Sequence, residues 1–294
     1  MCLALLALVN AGPAAAQVGI TDDAGREVVL EEPARRIIAL YGAFNETLAA
    51  LGLEHAIVAR TRADHEPASI LDKPVIGTHL RPNVEMVVGL APDLVLQMGG
   101  RKQAGEAVAA LARFGVPVAH FRADSFEDLF SVIKRIGILT GTEQRAAALV
   151  GEMQERLDRI GQRLEDAGRP SVFFEVRYPN LLGAGSKSMV ADVIARAGGR
   201  NCLTVPKKLV RLSEEELLRL DPDAYLLQRG PMNPNPSHPG ERPHFQPLGA
   251  IKRGKVMTVD EKLFSRPGPR SAAAVEQLAR FLHPERFNTA EVTR

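Results

Sequence analysis

Short apolar runs rich in β-branched residues alternate with longer segments of helical periodicity along most of the chain. In the first half these runs lie at residues 36–40, 56–59, 75–76, 94–96 and 118–121. Between them apolar residues recur three or four positions apart, as in Leu129, Val132 and Ile136, which predicts amphipathic helices. Because parallel strands need crossover connections, this order predicts a parallel sheet with helices on both faces.

The second half of the chain repeats this pattern. Its predicted strands lie at 171–176, 224–227 and 255–259, and its predicted helices lie at 188–197, 213–220 and 270–282. Between the halves, the periodicity of residues 142–168 predicts one long helix, and Thr140 and Glu143 are spaced as a capping box at its start. The predicted organisation is an N-terminal α/β lobe at 17–141, a connecting helix at 142–168 and a C-terminal α/β lobe at 169–294. A stiff connector of this kind holds two lobes at a fixed separation and leaves a cleft between them.

The first sixteen residues have the pattern of a secretory signal peptide. They carry no charge, begin with an apolar run and end in small residues, so we predict cleavage after Ala16 and export to the periplasm. The basic start of such signals is missing, which we attribute to a natural translation start upstream of Met1. Lipidation of Cys2 is an alternative that the pattern leaves open.

The composition excludes several function classes. Of 294 residues, 45% are hydrophobic and 24% are charged, which excludes a disordered chain, a collagen and a disulfide scaffold. The net charge of +2 comes from 37 basic and 35 acidic residues that are interspersed, so we expect no nucleic-acid partner. The sequence contains no H-E-x-x-H, G-x-S-x-G or C-x-x-C motif, and we therefore expect no enzyme activity.

A series of segments covers most of the chain after residue 20. They are TDDAGREVVLEEPARRIIAL (21–40), NETLAALG (45–52), PVIG and NVEMVVGLAPDLVL (within 74–96), GVPV (115–118), DVIARAGGRN (192–201), LSEEELLRLDPDAYLL (212–227) and LFSRPGPR (263–270). In this order they resemble the periplasmic binding proteins that serve iron-siderophore, haem and vitamin B12 importers. The predicted long helix falls where that family has its backbone helix.

The resemblance implies two doubly wound parallel-sheet lobes joined by a rigid backbone helix, with the ligand in the cleft. It implies a monomeric substrate-binding component of an ABC importer, which delivers ligand to an inner-membrane permease dimer with its ATPase. We expect no intrinsic cofactor and a metal chelate as ligand, foremost an anionic ferric siderophore-type complex that contains iron. Haem, a cobalt-containing corrinoid and a small metal or oxyanion complex are the alternatives, and a ligand sensor without a transport role is the alternative class.

Candidate ligand-binding residues follow from the rule that open α/β sheets bind ligands outside the carboxyl ends of their strands. The side chains selected in this way are Tyr41, Arg62, His79, Arg81, Arg101, Arg177, Arg229 and Arg266. Arginine offers planar charged donors for carboxylates, catecholates or phosphates, and tyrosine adds an apolar face and a phenol. The alternative is that several of these arginines are ordinary solvated surface charges.

Two further residues, Glu85 and Glu215, and one of the candidates above, His79, carry separate hypotheses. Glu85 and Glu215 fall where this family carries the surface carboxylates that dock onto permease arginines, although acidic residues are favoured in the first turn of any helix. Haem-binding members carry an axial tyrosine where this chain has Thr78, which leaves His79 as a candidate metal ligand or a hydrogen-bonding loop residue. The proline-rich stretch 230–247 predicts an extended, mobile loop near the mouth of the second lobe.

Overall fold

The computed structural model describes residues 17–99 and 102–287. The strands are β1 (Val18–Thr21), β2 (Glu27–Leu30), β3 (Ile37–Ala39), β4 (Ile57–Ala59), β5 (Leu94–Met98), β6 (Val118–Phe121), β7 (Ser171–Arg177), β8 (Leu182–Ala184), β9 (Arg200–Asn201), β10 (Leu209–Arg211), β11 (Ala224–Arg229) and β12 (Val256–Asp260). The helices are α1 (Gly42–Ala50), α2 (Val84–Gly89), α3 (Lys102–Arg113), α4 (Phe126–Thr140), α5 (Glu143–Arg163), α6 (Met189–Arg196), α7 (Glu214–Leu220), α8 (Gly249–Lys252), α9 (Glu261–Phe264), α10 (Ser271–Leu282) and α11 (Pro284–Phe287). The predicted signal peptide at 1–16 and the candidate Arg101 lie outside the described residues.

The first lobe is built on a four-stranded sheet in the order β4-β3-β5-β6, and every neighbouring pair in it is parallel. Alternate residues of β3 enter different cores: Ile37 packs into one apolar cluster and Ile38 into another. Burial of both faces is typical of a doubly wound sheet covered by helices. An antiparallel hairpin, β1 with β2, precedes the sheet and packs against α4.

The second lobe has a six-stranded sheet in the order β10-β8-β7-β11-β12, with β9 also paired to β7. Strands β7, β11 and β12 are parallel, which confirms the predicted core of this sheet. The sheet is mixed, however, because β8 runs antiparallel to β7 and β10 antiparallel to β8. The short segments β8 to β10 contain no long apolar run, so periodicity alone did not predict them.

Helix α5 connects the lobes and is shorter than the sequence predicted. It ends at Arg163 and has 21 residues, which gives a length of about 32 Å. The predicted capping box is wrong, because Thr140 belongs to the last turn of α4, where its hydroxyl donates to the Ile136 carbonyl at 2.8 Å. Val150, Met153, Leu157 and Ile160 form its buried stripe, as the periodicity predicted.

Both lobes contribute to one large apolar cluster that includes this stripe of α5. Helix α10 of the second lobe also packs against α5, and Arg156 of α5 bonds Glu276 of α10 at 2.6 Å. The two lobes are therefore joined by packing as well as by the connecting helix. Within the described residues, no helix is both long and apolar enough to span a membrane.

Candidate functional site

The candidate site lies where the carboxyl ends of both sheets carry polar loops. Tyr41 follows β3, Arg62 follows β4, and Arg177 and Arg229 end β7 and β11. Arg266 lies in the turn after α9. Ligands of open α/β sheets bind at this edge, and here the edge is supplied by both lobes.

Within the described residues, five arginines of this region form no hydrogen bond or ion pair through their guanidinium groups. They are Arg62, Arg81, Arg177, Arg229 and Arg266. The Nε atom of Arg177 is buried and has no hydrogen-bond partner there. By contrast, Arg36 donates to two backbone carbonyls, those of Ala91 and Leu90, at 3.1 and 2.7 Å. Cations with unused donors on both lobes are what an anionic ligand requires.

Tyr41 and His79 lie in first-lobe loops, Tyr41 after β3 and His79 before α2. Tyr41 is the N-cap residue of α1, half-buried, with its ring edge-on to Phe44 at 5.8 Å between centroids. His79 is half-buried in the tight turn that leads into α2, where the backbone N–H of Arg81 donates to the Thr78 hydroxyl at 3.1 Å. In the part of the chain that the structure describes, no three His, Cys, Asp or Glu side chains form a group that could hold a metal ion.

Glu85 and Glu215 occupy equivalent places in the two lobes. Each is exposed and is the second residue of its helix, α2 or α7. Asn83 and Ser213 cap these helices in the same way, each accepting from the backbone N–H three residues on. The backbone N–H of Glu215 and then the Ser213 hydroxyl lower the pKa of the Glu215 carboxyl, with a smaller effect from His244.

The strands that follow these helices begin in the same way. Asp93 accepts from the backbone N–H of Arg36 at 2.9 Å, and Asp223 accepts from that of Ser171 at 2.8 Å. Each aspartate therefore fixes the start of the central strand beside it, β3 or β7. Since Glu85 and Glu215 each lie eight residues before these aspartates, the two lobes present one exposed carboxylate at matching positions.

A buried polar network in the second lobe was not predicted from the sequence. Arg242 pairs with Glu175 through two bonds, Nη1 to Oε2 at 2.5 Å and Nη2 to Oε1 at 3.0 Å, and Tyr225 donates to the same carboxylate. Burial alone lowers the pKa of Arg242, but the hydrogen bonds and charge of Glu175 outweigh it and raise the pKa. The Asn233 amide donates to the Gln228 carbonyl at 3.0 Å, which ties the loop to β11.

This network corrects the prediction of a mobile loop at 230–247. The Arg242 guanidinium also donates to the Ser237 carbonyl at 2.6 Å and stacks 3.8 Å from the centroid of the Tyr178 ring. Tyr178 in turn donates to Glu214 at 2.9 Å, a bond that raises the pKa of the phenol, so this ring does not present a free hydroxyl to the cleft. The loop is anchored to the sheet by side chains far apart in sequence.

The lobes touch each other at the floor of the cleft. Arg270 of the second lobe forms a two-bond ion pair with Glu46 of α1, at 2.6 and 2.9 Å. Beside it is a crevice of about 10 Å³, room for roughly one water molecule, bounded by polar side chains of both lobes. Its lining includes Glu46, Asp64, His65, Lys262 and Arg266.

A larger cavity of about 550 Å³ lies away from this site. It is lined by Arg35, Gly52, His55 and the first residues of α5. Arg35 directly precedes β3, so the cavity is at the amino ends of the strands. Its position is opposite to the edge at which such sheets bind ligands, and we assign it no role in the site.

Comparison with known proteins identifies the family. The family described as periplasmic binding protein matches residues 37–263. The chain belongs to the periplasmic binding protein family. A lipoprotein of Bacillus subtilis, named as an uncharacterized ABC transporter substrate-binding lipoprotein, is 28% identical over 92% of this chain and 87% of its own length. A cobalamin-binding protein of Halobacterium salinarum is 26% identical over 89% of this chain and 73% of its own length.

The solved structures agree with this assignment. A periplasmic heme binding protein from Pseudomonas aeruginosa superposes with a TM-score of 0.74 at 25% identity, covering 85% of this chain and 93% of that one. The predicted family and two-lobed α/β fold are thereby confirmed. This periplasmic binding protein is thus similar to substrate-binding proteins of ABC transporters, and these relatives are binding proteins, not enzymes.

Proposed function

We propose that this periplasmic binding protein is the extracytoplasmic substrate-binding component of an ABC importer and that it captures an anionic metal chelate, foremost a ferric siderophore-type complex. The observation that carries the proposal is the set of arginines without protein partners at the carboxyl ends of both sheets. Arg62 and Arg81 come from the first lobe, and Arg177 and Arg229 come from the second. Four cations without hydrogen-bonded or ion-paired protein partners, on loops of both lobes, favour a ligand with several negative groups.

Arg177 gives the strongest individual support. Its Nε is buried without a partner, and a buried donor left unsatisfied costs about 1–3 kcal/mol. A ligand oxygen that accepts from this group would recover that cost on binding. The iron, or cobalt in a corrinoid, would enter as part of the ligand, and Tyr41 and His79 are the side chains that we propose approach it.

Cobalamin is the second candidate ligand, favoured by the name of the Halobacterium salinarum relative. The absence of tryptophan and the presence of only 3 tyrosines argue against it, since a large flat ligand is usually held by aromatic faces. Haem is a further candidate, because its iron and its two carboxylates also make an anionic chelate.

The test uses the exported protein without residues 1–16. Its thermal midpoint is measured with cyanocobalamin, haemin, a ferric catecholate, ferric citrate and orthophosphate, each at increasing concentration. A ligand at one hundred times its dissociation constant stabilises the folded form by about 2.7 kcal/mol. We expect a saturable rise of the thermal midpoint with a ferric chelate. A rise with cyanocobalamin alone would instead identify cobalamin, the second candidate, as the ligand. No rise with any of the five would contradict the proposal of a metal chelate.

We also propose that Glu85 and Glu215 dock onto basic residues of the permease. Their matched positions and exposure support this role, because carboxylates on both lobes can contact both halves of a permease dimer. Charge reversal in Glu85→Lys/Glu215→Lys should abolish cellular uptake of the bound chelate and leave its affinity for the purified protein unchanged. Glu152→Lys/Glu155→Lys, on the exposed face of α5, is the matched control and should keep both properties. Lost affinity in the first variant would refute the docking role.

A further inference from the structure

The turn at 264–270 crosses from the second lobe to α1 of the first. Two arginines, Arg266 and Arg270, lie on this one turn, and two carboxylates, Asp64 and Glu46, lie opposite them on the first lobe; of the two arginines, Arg270 forms an ion pair, with Glu46. The Glu46 side chain is 14% exposed and the Arg270 side chain is 45% exposed, so the carboxylate is shielded from solvent while its partner is half-exposed. The hydrogen bonds that Arg270 donates to Glu46 raise the pKa of Arg270, and the charges of Glu66 and Asp260 act in the same direction.

The backbones approach closely because glycine occupies the contact positions. A Cβ atom at Gly268 would lie 3.3 Å from the Cβ of Ala43 in α1. A Cβ atom at Gly42 would lie 2.8 Å from Oδ1 of Asp64 and 3.2 Å from Nη1 of Arg266. Any larger residue at Gly42 would therefore push against side chains of both lobes at once.

Asp64 and Arg266 face each other across Gly42 without direct pairing. Their Oδ1 and Nη1 atoms are at most about 6 Å apart, given their distances from the Cβ position at Gly42, and they form no ion pair. Opposite charges at 4–6 Å still attract, and the crevice between them has room for about one bridging water. Asp64 is held in place because its Oδ2 accepts from the backbone N–H of Thr61 at 2.9 Å.

The turn is also held by contacts within the second lobe. The backbone N–H of Gly268 donates to the Ser271 hydroxyl at 3.0 Å, and Arg270 is the N-cap residue of α10. Helix α10 in turn packs against α5, so the turn is continuous with an element that contacts the connecting helix. Its contact with α1 therefore links the cleft floor to the rigid axis of the molecule.

We propose that Glu46 with Arg270 and Asp64 with Arg266 form an inter-lobe clamp, which fixes the separation of the lobes at the floor of the cleft. The clamp determines how far the arginines of one lobe stand from those of the other, and so which size of ligand both can contact. The proposal concerns the ligand-free protein and does not depend on which ligand binds.

The test measures the distance between the lobes by electron–electron double resonance. Nitroxide labels are placed at Ser69→Cys and Asn235→Cys, both exposed and one on each lobe, while Cys202 is buried. In this background Glu46→Gln should shift the distance distribution to longer values and broaden it. Glu155→Gln is the matched control, because it removes an exposed pair within α5, and it should leave the distribution unchanged. A Glu46→Gln distribution that superposes on the parent's would overturn the proposal.

A second variant probes the close approach itself. Gly42→Ala should lengthen the mean inter-lobe distance, because its Cβ would contact Asp64 and Arg266. Gly151→Ala, where nothing lies within 4 Å of the added atom, is its control. Thermal midpoints are recorded alongside, so that loss of stability is separated from a change in lobe separation. A Gly42→Ala variant that folds with the parent's distance distribution would also contradict the clamp.

Discussion

Replacing Arg242 by methionine should destabilise the second lobe strongly. The side chain is 5% exposed and its partner Glu175 is fully buried, so Arg242→Met leaves a carboxylate without its counter-charge. The variant also removes the donor to the Ser237 carbonyl. Removal of one partner from a buried ion pair costs about 3–5 kcal/mol. At about 2 °C per kcal/mol for a chain of this size, the thermal midpoint should fall by about 6–10 °C.

The assay is urea and thermal unfolding of the parent, the single variant and the double variant Glu175→Met/Arg242→Met. The double variant should be more stable than Arg242→Met, because it contains no uncompensated buried charge. Arg253→Met is the control: its pair with Asp223 at 3.2 Å is half-exposed on both sides, and its loss should cost at most about 1 kcal/mol. A double variant less stable than the single one would refute the reasoning. So would a loss in free energy of unfolding for Arg242→Met that is as small as the loss for Arg253→Met.

Three smaller predictions concern other parts of the fold. Asn83→Ala should destabilise α2 by about 1 kcal/mol through loss of its cap, and unchanged amide exchange at residues 84–89 would contradict this. Burial raises the pKa of Cys202 to about 12, so in protein without residues 1–16 a disulfide reagent at pH 8 should react only after unfolding. The backbone N–H and hydroxyl of Ser171 lower the pKa of Asp223 below its usual 3.8, so its stabilisation is complete above that value and is lost as the pH falls through the folded pKa. Asp223→Asn should flatten the stability curve in that acidic range, and a curve that keeps the parent's slope would count against this assignment.

The parallel strands were predictable because strands that are buried on both faces consist of consecutive apolar residues. β5 and β7 were found within two residues of their ends in this way. The antiparallel strands β8 and β10 were missed, because one contains two small residues and the other is exposed. The order of helices and strands in the sequence thus predicted the two α/β lobes but not the mixed parallel and antiparallel character of the second sheet.

The site was predictable only in part, since chain position locates a loop but not its partners. The carboxyl-end rule placed Arg177 and Arg229 at strand ends on sequence evidence alone. It did not pair Arg242 with Glu175, 67 residues away, or Arg270 with Glu46, 224 residues away. The first pair depends on how a loop packs onto the sheet of its own lobe and the second on how the two lobes pack, and a single sequence carries no local signal of either packing.

The measurement that tests the central claim most directly is the affinity of the most stabilising ligand for Arg177→Gln/Arg229→Gln, by titration calorimetry. Each glutamine removes a charge-assisted donor that is worth about 1.5–3 kcal/mol to a bound anion. We predict that this variant binds at least about tenfold more weakly than the parent, a loss of about 1.4 kcal/mol. The control Arg113→Gln/Arg219→Gln, which changes two exposed arginines outside the site, should bind as the parent does. Equal affinity in both variants would contradict the claim that the cleft arginines hold the ligand.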